Sequence, residues 1–430
     1  MAQADSDLER EQRVLAAIDT ENADIRDIDR QRKYAKMTRS AYRFFRGTNH
    51  LFWSDVRDDW RLDLFGGRPD TRTWLQGDAH VHNHGAYGDD RQGVHFGMDD
   101  FDDALVGDFQ YDLWRHAASM VLDANENAGL TTGQTQRAIR HFLTDYLDTL
   151  ADGLPAEDIH VAYEDPPLRH FMKKVQKKHG VARQLAKWTI QTEDGTPVFD
   201  TEYRKLGGVS AAERQQLTKA LNEQYPKTLL NADDERTAFS IVDVARRLNA
   251  GTGSLGLERF YALVKAQASD LDDYVLLDIK QQTQPPAIAQ LSADERRREY
   301  EHEARRHAEA ARALAQHPDA YLGWLALGDN WFSVRRRSPY KKDFPTHKID
   351  GFKTYRALAR QWGRIIAREH LRGAAYLAPD DPGYFGRAVT ERISNDRETF
   401  KAMIVDFALA YAERMRRDYA AFVEARGVHE

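Results

Sequence analysis

The sequence predicts an α+β protein with two lobes, for three reasons. Residues 111 to about 150, 353–372 and 393–424 show the apolar spacing of amphipathic helices. Residues 240–280 instead carry the runs FYALV and YVLLDIK, which are typical of strands. A chain of 430 residues also exceeds the usual single-domain length and can bury more than one core. The order helical, β, helical therefore places a small β lobe in the middle of the chain.

Four segments follow from this order. The N-terminal segment is predicted as one charged surface helix over residues 6–36. Later helices are predicted to start at two capping boxes, Ser210 with Glu213 and Ser292 with Glu295. The predicted segments are an N-terminal helical segment at 1–36, the catalytic-loop part of the helical lobe at 37–235, the small β lobe at 236–338 and the remainder of the helical lobe at 339–430.

Composition narrows the class of protein and its partners. The 41% hydrophobic and 30% charged residues are those of an ordinary folded chain. A net charge of −6 gives no broad basic surplus, so we expect neither nucleic acid nor an anionic membrane as the main partner. The chain has no cysteine and no apolar run near the roughly 18 residues of a membrane span. We expect a cytoplasmic protein, and its oligomeric state stays open.

The residues best suited to catalysis and metal binding lie in two motifs that are close together in the sequence. GDAHVHN begins at Gly77, and DFDDA begins at Asp100. Phosphoryl transfer needs a carboxylate that orients the acceptor and oxygen ligands that hold magnesium against the nucleotide phosphates. We expect Asp78 to be the catalytic carboxylate and Asn83, Asp100 and Asp102 to be the magnesium ligands, because the step from Asp78 to Asn83 equals that of a kinase catalytic loop.

These motifs resemble those of a known group of enzymes. GDAHVHN is similar to the G-D-x-H-x-x-N loop of aminoglycoside phosphotransferases and choline kinase relatives. DDFDDALVGDFQYDLWRHA is similar to their segment with D-[FW]-[DE]-x-A followed by G-D-x-x-x-D-L. The resemblance implies a two-lobed, protein-kinase-like fold in which Asp100 binds magnesium and Asp112 is a buried structural anchor.

The whole chain also resembles a bacterial family of unknown function, domain of unknown function 2252. Members carry F-x-x-R-G, a GDAH loop, N-D-F-D-E and a later G-x-G-S-x-G. This chain has Arg46-Gly47, the GDAH loop and GTGSLG at 251–256, with Asp99 and Asp103 in place of the usual Asn and Glu. The family name implies no substrate.

The nucleotide-binding parts are expected after the catalytic loop, which indicates a circular permutation. In an ordinary kinase the glycine-rich loop and its strand lysine come first. Here GTGSLG and Lys280 come later, and Lys280 shares a strand face with Asp278. We expect ATP to contact Gly251, Gly253, Ser254, Gly256 and Lys280. A glutamate of the following helix is expected to pair with Lys280, and the candidates are Glu301, Glu303 and Glu309.

The expected function is ATP- and Mg²⁺-dependent phosphotransfer to an unidentified acceptor, with possible substrate or phosphate contacts at Arg43, Arg46 and His80. Three alternatives stay open. The same fold can transfer AMP, or it can bind nucleotide without turnover as a pseudokinase. The third is a metal-dependent hydrolase built on Asp78 and the histidines at 80, 82, 84 and 95.

Simple structural roles also stay open for the same residues. GDAH is compatible with a turn in which the aspartate caps backbone amides. GTGSLG is compatible with a plain hairpin entry, and Lys280 with a solvated strand lysine. Surface arginines such as Arg43 and Arg46 commonly stack or extend toward solvent.

Overall fold

The fold is known from a computed structural model that describes residues 2–89, 93–154, 166–229, 238–248, 256–266, 274–290, 300–349 and 351–426. It is a mixed α+β protein, which confirms the predicted class. The helix start predicted at Ser292 and Glu295, and the first five residues of GTGSLG, lie outside these ranges.

Five helices open the chain. They are α1 Ala2–Glu21, α2 Asp27–Met37, α3 Ala41–Gly47, α4 Asn49–Val56 and α5 Leu62–Phe65. The single helix predicted over 6–36 is wrong, because the chain breaks between α1 and α2. Asn22 lies at the break with its side-chain amide bonded to the Ile18 carbonyl, an alternative to continued helix that asparagine readily forms.

Two small sheets and two long helices follow. The strands are β1 Arg72–Leu75, β2 His84–Asp89, β3 Gly93–Met98 and β4 Leu105–Asp108, and the helices are α6 Gln110–Glu126 and α7 Thr132–Asp152. β1 pairs antiparallel with β4, and β2 pairs antiparallel with β3. Gly153 ends α7 with φ +74°, as its position in the sequence predicts. The β1/β4 pair brings the residues after β1 next to those before β4.

A six-stranded antiparallel sheet forms the middle of the chain. The elements in chain order are α8 Pro166–Lys178, α9 Val181–Trp188, β5 Thr189–Gln191, β6 Pro197–Phe199, β7 Leu206–Gly207, α10 Ala211–Glu223, β8 Phe239–Arg247, β9 Arg259–Ala266, β10 Tyr274–Gln281, α11 Glu303–Leu314, β11 Gly323–Leu327 and β12 Asn330–Arg336. The six strands of the sheet run in the order β11-β12-β10-β9-β8-β7. The strands predicted at FYALV and YVLLDIK are β9 and β10, and the Ser210–Glu213 capping box opens α10.

The chain returns to helices at its end. β13 Lys342–Asp343 adds to the edge of β2, and the helices are α12 Gly351–Leu377, α13 Tyr384–Ile393 and α14 Arg397–Arg426. Short 3₁₀ turns lie at Pro69–Thr71, Val81–Asn83, Tyr225–Thr228, Pro286–Gln290 and Thr346–Lys348. α12 packs closely on α7, and a Cβ at Gly363 would lie 2.1 Å from the Phe142 carbonyl oxygen.

Hydrophobic residues form three clusters. The largest joins the helices of both chain ends, with Trp114 and Trp362 fully buried. The six-stranded sheet is covered on both faces, by α10 through Leu221 on one and by Trp188 and Phe199 on the other. A helical body and a separately packed sheet therefore lie side by side, and the residues with the most chemistry meet between them.

Candidate functional site

The GDAHVHN loop is fixed in place by Asp112 at the start of α6. The Asp112 carboxylate accepts the backbone N–H groups of Gln76 at 2.7 Å and Gly77 at 3.0 Å. Gly77 has φ +77°, and a Cβ there would lie 1.9 Å from the Asp103 carbonyl oxygen. Asp112 is thus a buried anchor, in the role that the resemblance implies, and only glycine fits at position 77.

Asp78 follows this anchored turn and pairs with a buried arginine. Its Oδ1 accepts from Arg115 Nε at 2.5 Å, and its Oδ2 lies 3.7 Å from His80 Nε2. A fifth of the Asp78 side chain is exposed. Burial raises the pKa of Asp78 to about 7, although Arg115 opposes that rise. Arg115 therefore holds one carboxylate oxygen, and part of the Asp78 side chain is open to solvent.

His80 and Asn83 support the loop from within. Burial, followed by the nearby guanidinium of Arg46, lowers the pKa of His80 well below its usual value. The neutral ring accepts a hydrogen bond from Arg46 Nε at 3.0 Å. Asn83 Nδ2 donates to the Asp78 carbonyl oxygen at 2.9 Å. The side-chain oxygen of Asn83 is the group that could bind a metal ion. Of the two predicted arginines, Arg46 contacts the loop, whereas Arg43 faces solvent near Lys36.

The DFDDA segment meets Lys280 of β10. Lys280 Nζ forms an ion pair with Asp102 Oδ2, and the Asp102 Oδ1 accepts from Gln282 at 3.2 Å. Burial favours the protonated form of Asp102, but Lys280 and His307 lower its pKa well below the usual value. Two motifs 178 residues apart in the chain therefore share one site.

Asp100 lies beside Asp102 and is joined to the GDAHVHN loop. Its carbonyl oxygen accepts from Gln76 Nε2 at 2.5 Å. The surrounding protein, and next the Asp102 carboxylate, raises the pKa of Asp100 to about 6. Asp100 and Asp102 also share a side-chain hydrogen bond. The structure thus places two adjacent carboxylates at the meeting point of the loop and the sheet.

The predicted glutamate partner of Lys280 is wrong. The three candidates pair with arginines of their own helix region: Glu301 and Glu309 with Arg305, and Glu303 with Arg306. α11 instead presents His307, whose Nε2 lies 3.7 Å from Asp102. Helical spacing explains the error, because residues three or four apart on one helix are neighbours and these pairs form locally.

Several residues of the site carried no sequence signal. Arg115 is buried and its guanidinium lies 4.1 Å from the centre of the Phe45 ring. Lys33 of α2 is also buried, donates to Asn22 Oδ1 at 2.6 Å, and has a pKa lowered by burial against the opposing effect of Glu21 and Asp103. In the sequence Lys33 belongs to a charged helix, for which a solvated face is expected, and Arg115 is a single basic residue in a helix with apolar spacing.

The N-terminal segment reaches this site as well. Lys33 is close enough to His50 that burial, followed by Lys33 and Arg115, lowers the pKa of His50 to about 3. A Cβ on Gly256, the last glycine of GTGSLG, would lie 3.1 Å from Ile25. Gly256 has φ +92°, so glycine is favoured there on backbone grounds too. Residues of the N-terminal segment therefore approach both Asp103 of the acidic motif and Gly256.

The sheet face that carries Lys280 is only partly open. Tyr261 and Leu276 lie on that face and pack against Trp188 and Phe199. Nearer to Asp99, a cavity of about 90 Å³ opens between the sheet and the helical body, lined in part by Arg335. The surface available to a ligand is thus the region around Lys280, the acidic motif and this cavity.

The histidines of the loop do not converge on one point. His82 Nε2 is 2.9 Å from Asp123, His84 Nε2 is 3.1 Å from His116, and His95 stacks on His317. Among the described residues no group of three or more His, Asp or Glu side chains is arranged to hold a metal ion. The arrangement does not support the hydrolase alternative.

The fold and site define an α+β protein with two neighbouring segments between a helical body and an antiparallel sheet: the anchored GDAHVHN loop and the DFDDA segment, which contacts Lys280. The chain belongs to the family described as uncharacterized protein conserved in bacteria, DUF2252, which it matches over residues 30–425. This confirms the family named from the sequence. No curated protein and no solved structure matches the chain. None of the helices in the described ranges has the length and apolar character needed to cross a membrane.

Proposed function

We propose that this protein is an ATP- and Mg²⁺-dependent phosphotransferase with a kinase-like, circularly permuted order of parts. The observation that supports it most is the contact between Lys280 and Asp102, which joins two distant motifs. In protein kinases a strand lysine holds the nucleotide phosphates close to an aspartate that binds magnesium. If Lys280 were only a solvent-exposed lysine of the strand, this ion pair with the acidic motif would not be expected.

The order of elements around Lys280 supports the same proposal. β8 leads into GTGSLG, β9 and β10 follow, and α11 comes after the lysine strand. A kinase small lobe has its glycine-rich loop, lysine strand and following helix in this order. Here they come after the GDAHVHN loop, which is the reason for proposing a permutation.

The donor groups fit magnesium. Mg²⁺ is usually held by one or two carboxylates together with waters and substrate phosphates. Asp100 and Asp102 supply two adjacent carboxylates, and Asn83 supplies an amide oxygen whose nitrogen is already engaged. When bound, the ion would offset the negative charge on the phosphates. When nucleotide binds, Lys280 would contact phosphate oxygens and would lose part of its contact with Asp102.

Asp78 would act on the acceptor hydroxyl. Arg115 holds its Oδ1, so Oδ2 is the oxygen that orients the hydroxyl and accepts its proton. The acceptor oxygen then bonds to the γ-phosphorus while the bond from that phosphorus to the bridging oxygen breaks. ADP leaves with the electron pair of the broken bond. The anchored turn at Gly77 keeps Asp78 in position throughout.

Product analysis after incubation with ATP and Mg²⁺ tests this proposal. The wild type should release ADP slowly to water, and Asp78→Asn should reduce that rate about 100-fold or more, the usual range for a general base. Asp406→Asn, an exposed site on α14, is the matched control and should keep the wild-type rate. Thermal unfolding of each variant checks that it is folded.

Other products would change the conclusion. Pyrophosphate in place of ADP would indicate AMP transfer. Magnesium-dependent ATP binding with no turnover in any variant would indicate a pseudokinase. ADP release that Asp78→Asn leaves unchanged would contradict the role of Asp78.

A further inference from the structure

A large groove lies on the helical body, apart from the Lys280 site. One wall is α8, and the other is the segment from Lys342 to Ala357. Its volume of about 820 Å³ is within the range of small-molecule sites. We call it the basic groove, because its described lining includes five lysines and no carboxylate: Lys174, Lys178, Lys342, Lys348 and Lys353.

Within the described residues, no carboxylate balances the charges of the basic groove. Among the residues that the structure describes, none of these five ammonium groups forms an ion pair with a carboxylate. Burial, followed by Lys342 and other cations, lowers the pKa of His179 on the same rim. Like charges within a Debye length repel one another, so their concentration in a concave surface raises the local affinity for anions. A cluster of five lysines without carboxylates in the described lining contrasts with the net charge of −6 of the whole chain.

The floor of the basic groove is apolar. Phe171 and Phe344 line it with ring centroids 5.1 Å apart, and Phe96 lies against both from beneath. Val175 and Ile349 are buried beside them. A purely ionic ligand would leave this surface exposed to water, so the lining matches a ligand with an apolar body.

One wall of the basic groove is bonded to the GDAHVHN loop. Phe344 N–H donates to the His84 carbonyl oxygen at 3.1 Å. Thr346 Oγ1 lies 2.8 Å from His82 Nε2, and Lys342 pairs with Ala86 in the β13–β2 ladder. A ligand in the groove would therefore contact the same segment that flanks the loop.

We propose that the basic groove binds one free anionic amphiphile, with its apolar body on Phe171 and Phe344 and its phosphate or carboxylate head among the lysines. A dissolved molecule is favoured over a membrane surface because the lining is concave and of the size of a single ligand. This binding goes beyond phosphotransfer and needs neither ATP nor Mg²⁺.

Calorimetric titration of the full chain with dodecyl phosphate, below its critical micelle concentration, tests the proposal. Dodecyl phosphate should bind, and the Lys174→Gln/Lys348→Gln variant should bind about tenfold more weakly, the effect of losing two partly exposed charge pairs. The matched control is Lys219→Gln/Lys265→Gln, which removes the same charge from exposed positions of α10 and β9 and should bind like the wild type.

Four results would overturn this proposal. If dodecyl maltoside bound as tightly as dodecyl phosphate, the groove would recognise only the apolar chain. If inorganic phosphate bound as tightly, the groove would recognise only the anionic head. Equal affinity in the wild type and the Lys174→Gln/Lys348→Gln variant would place the ligand elsewhere. Binding only to vesicles that contain phosphatidylglycerol, with none to dissolved dodecyl phosphate, would show a membrane surface instead.

Discussion

Gly77→Ala should strongly destabilise the protein, because the turn that presents Asp78 leaves no room for a side chain. The backbone at Gly77 has φ +77°, a conformation that costs an alanine about 1–2 kcal/mol. The new Cβ would also lie 1.9 Å from the Asp103 carbonyl oxygen, and overpacking of this kind costs about 1–3 kcal/mol more. The turn cannot easily shift, since its carbonyl oxygen accepts from Asn49 and Trp53. We expect a total loss of about 2–5 kcal/mol.

A second glycine separates the two causes. Gly129 has φ +59° with nothing within 4 Å of an added Cβ, so Gly129→Ala should show the backbone cost alone, about 1–2 kcal/mol. Urea unfolding followed by tryptophan fluorescence measures both variants, and Trp53, which donates to the Gly77 carbonyl oxygen, is one of the eight tryptophans that contribute to the signal. If Gly77→Ala costs no more than Gly129→Ala, the close approach to Asp103 is not a real constraint.

Three further predictions concern charged side chains. Burial raises the pKa of Glu369 to about 8 from its ordinary 4.5, so its contribution to stability is full below pH 4.5 and is lost as pH rises through 8. Between pH 4 and pH 8 the wild type should therefore lose about 4 kcal/mol more unfolding free energy than Glu369→Gln, and parallel pH profiles would refute this. A double-mutant cycle of Lys280→Met and Asp102→Asn should give a coupling of about 1–2 kcal/mol in urea unfolding, whereas additive effects would show that the two side chains do not interact. Asp112→Asn should cost about 2 kcal/mol or more, because the neutral amide has one oxygen for two backbone N–H groups, and an unchanged urea midpoint would argue against the anchor.

Local patterns predicted much of the fold. The apolar runs FYALV and YVLLDIK became β9 and β10, and Ser210 with Glu213 opened α10, because neighbouring residues decide these features. β8 was not predicted. Its run FSIVDVARR has a bulge between Ile241 and Asp243, which interrupts the strict alternation of a strand.

Long-range contacts were harder to predict. The proximity of Lys280 to the acidic motif followed from a resemblance to kinases, since spacing alone cannot bring residues 178 apart into contact. The same resemblance gave a wrong partner for Lys280. All three candidate glutamates instead form ion pairs with arginines close to them in the sequence. Lys33 was missed because burial of a helical lysine depends on what packs over it.

Binding of ATP measured by calorimetry, with and without Mg²⁺, tests the central claim most directly. The wild type should bind ATP in a magnesium-dependent manner. Lys280→Met and Asp100→Asn should each weaken binding about tenfold or more, the effect of losing a hydrogen bond or ligand to a charged group. Lys265→Met, an exposed lysine on the neighbouring strand β9, should bind like the wild type. Magnesium-independent binding, or equal affinity in Lys280→Met and the wild type, would contradict a shared nucleotide site between the acidic motif and the sheet.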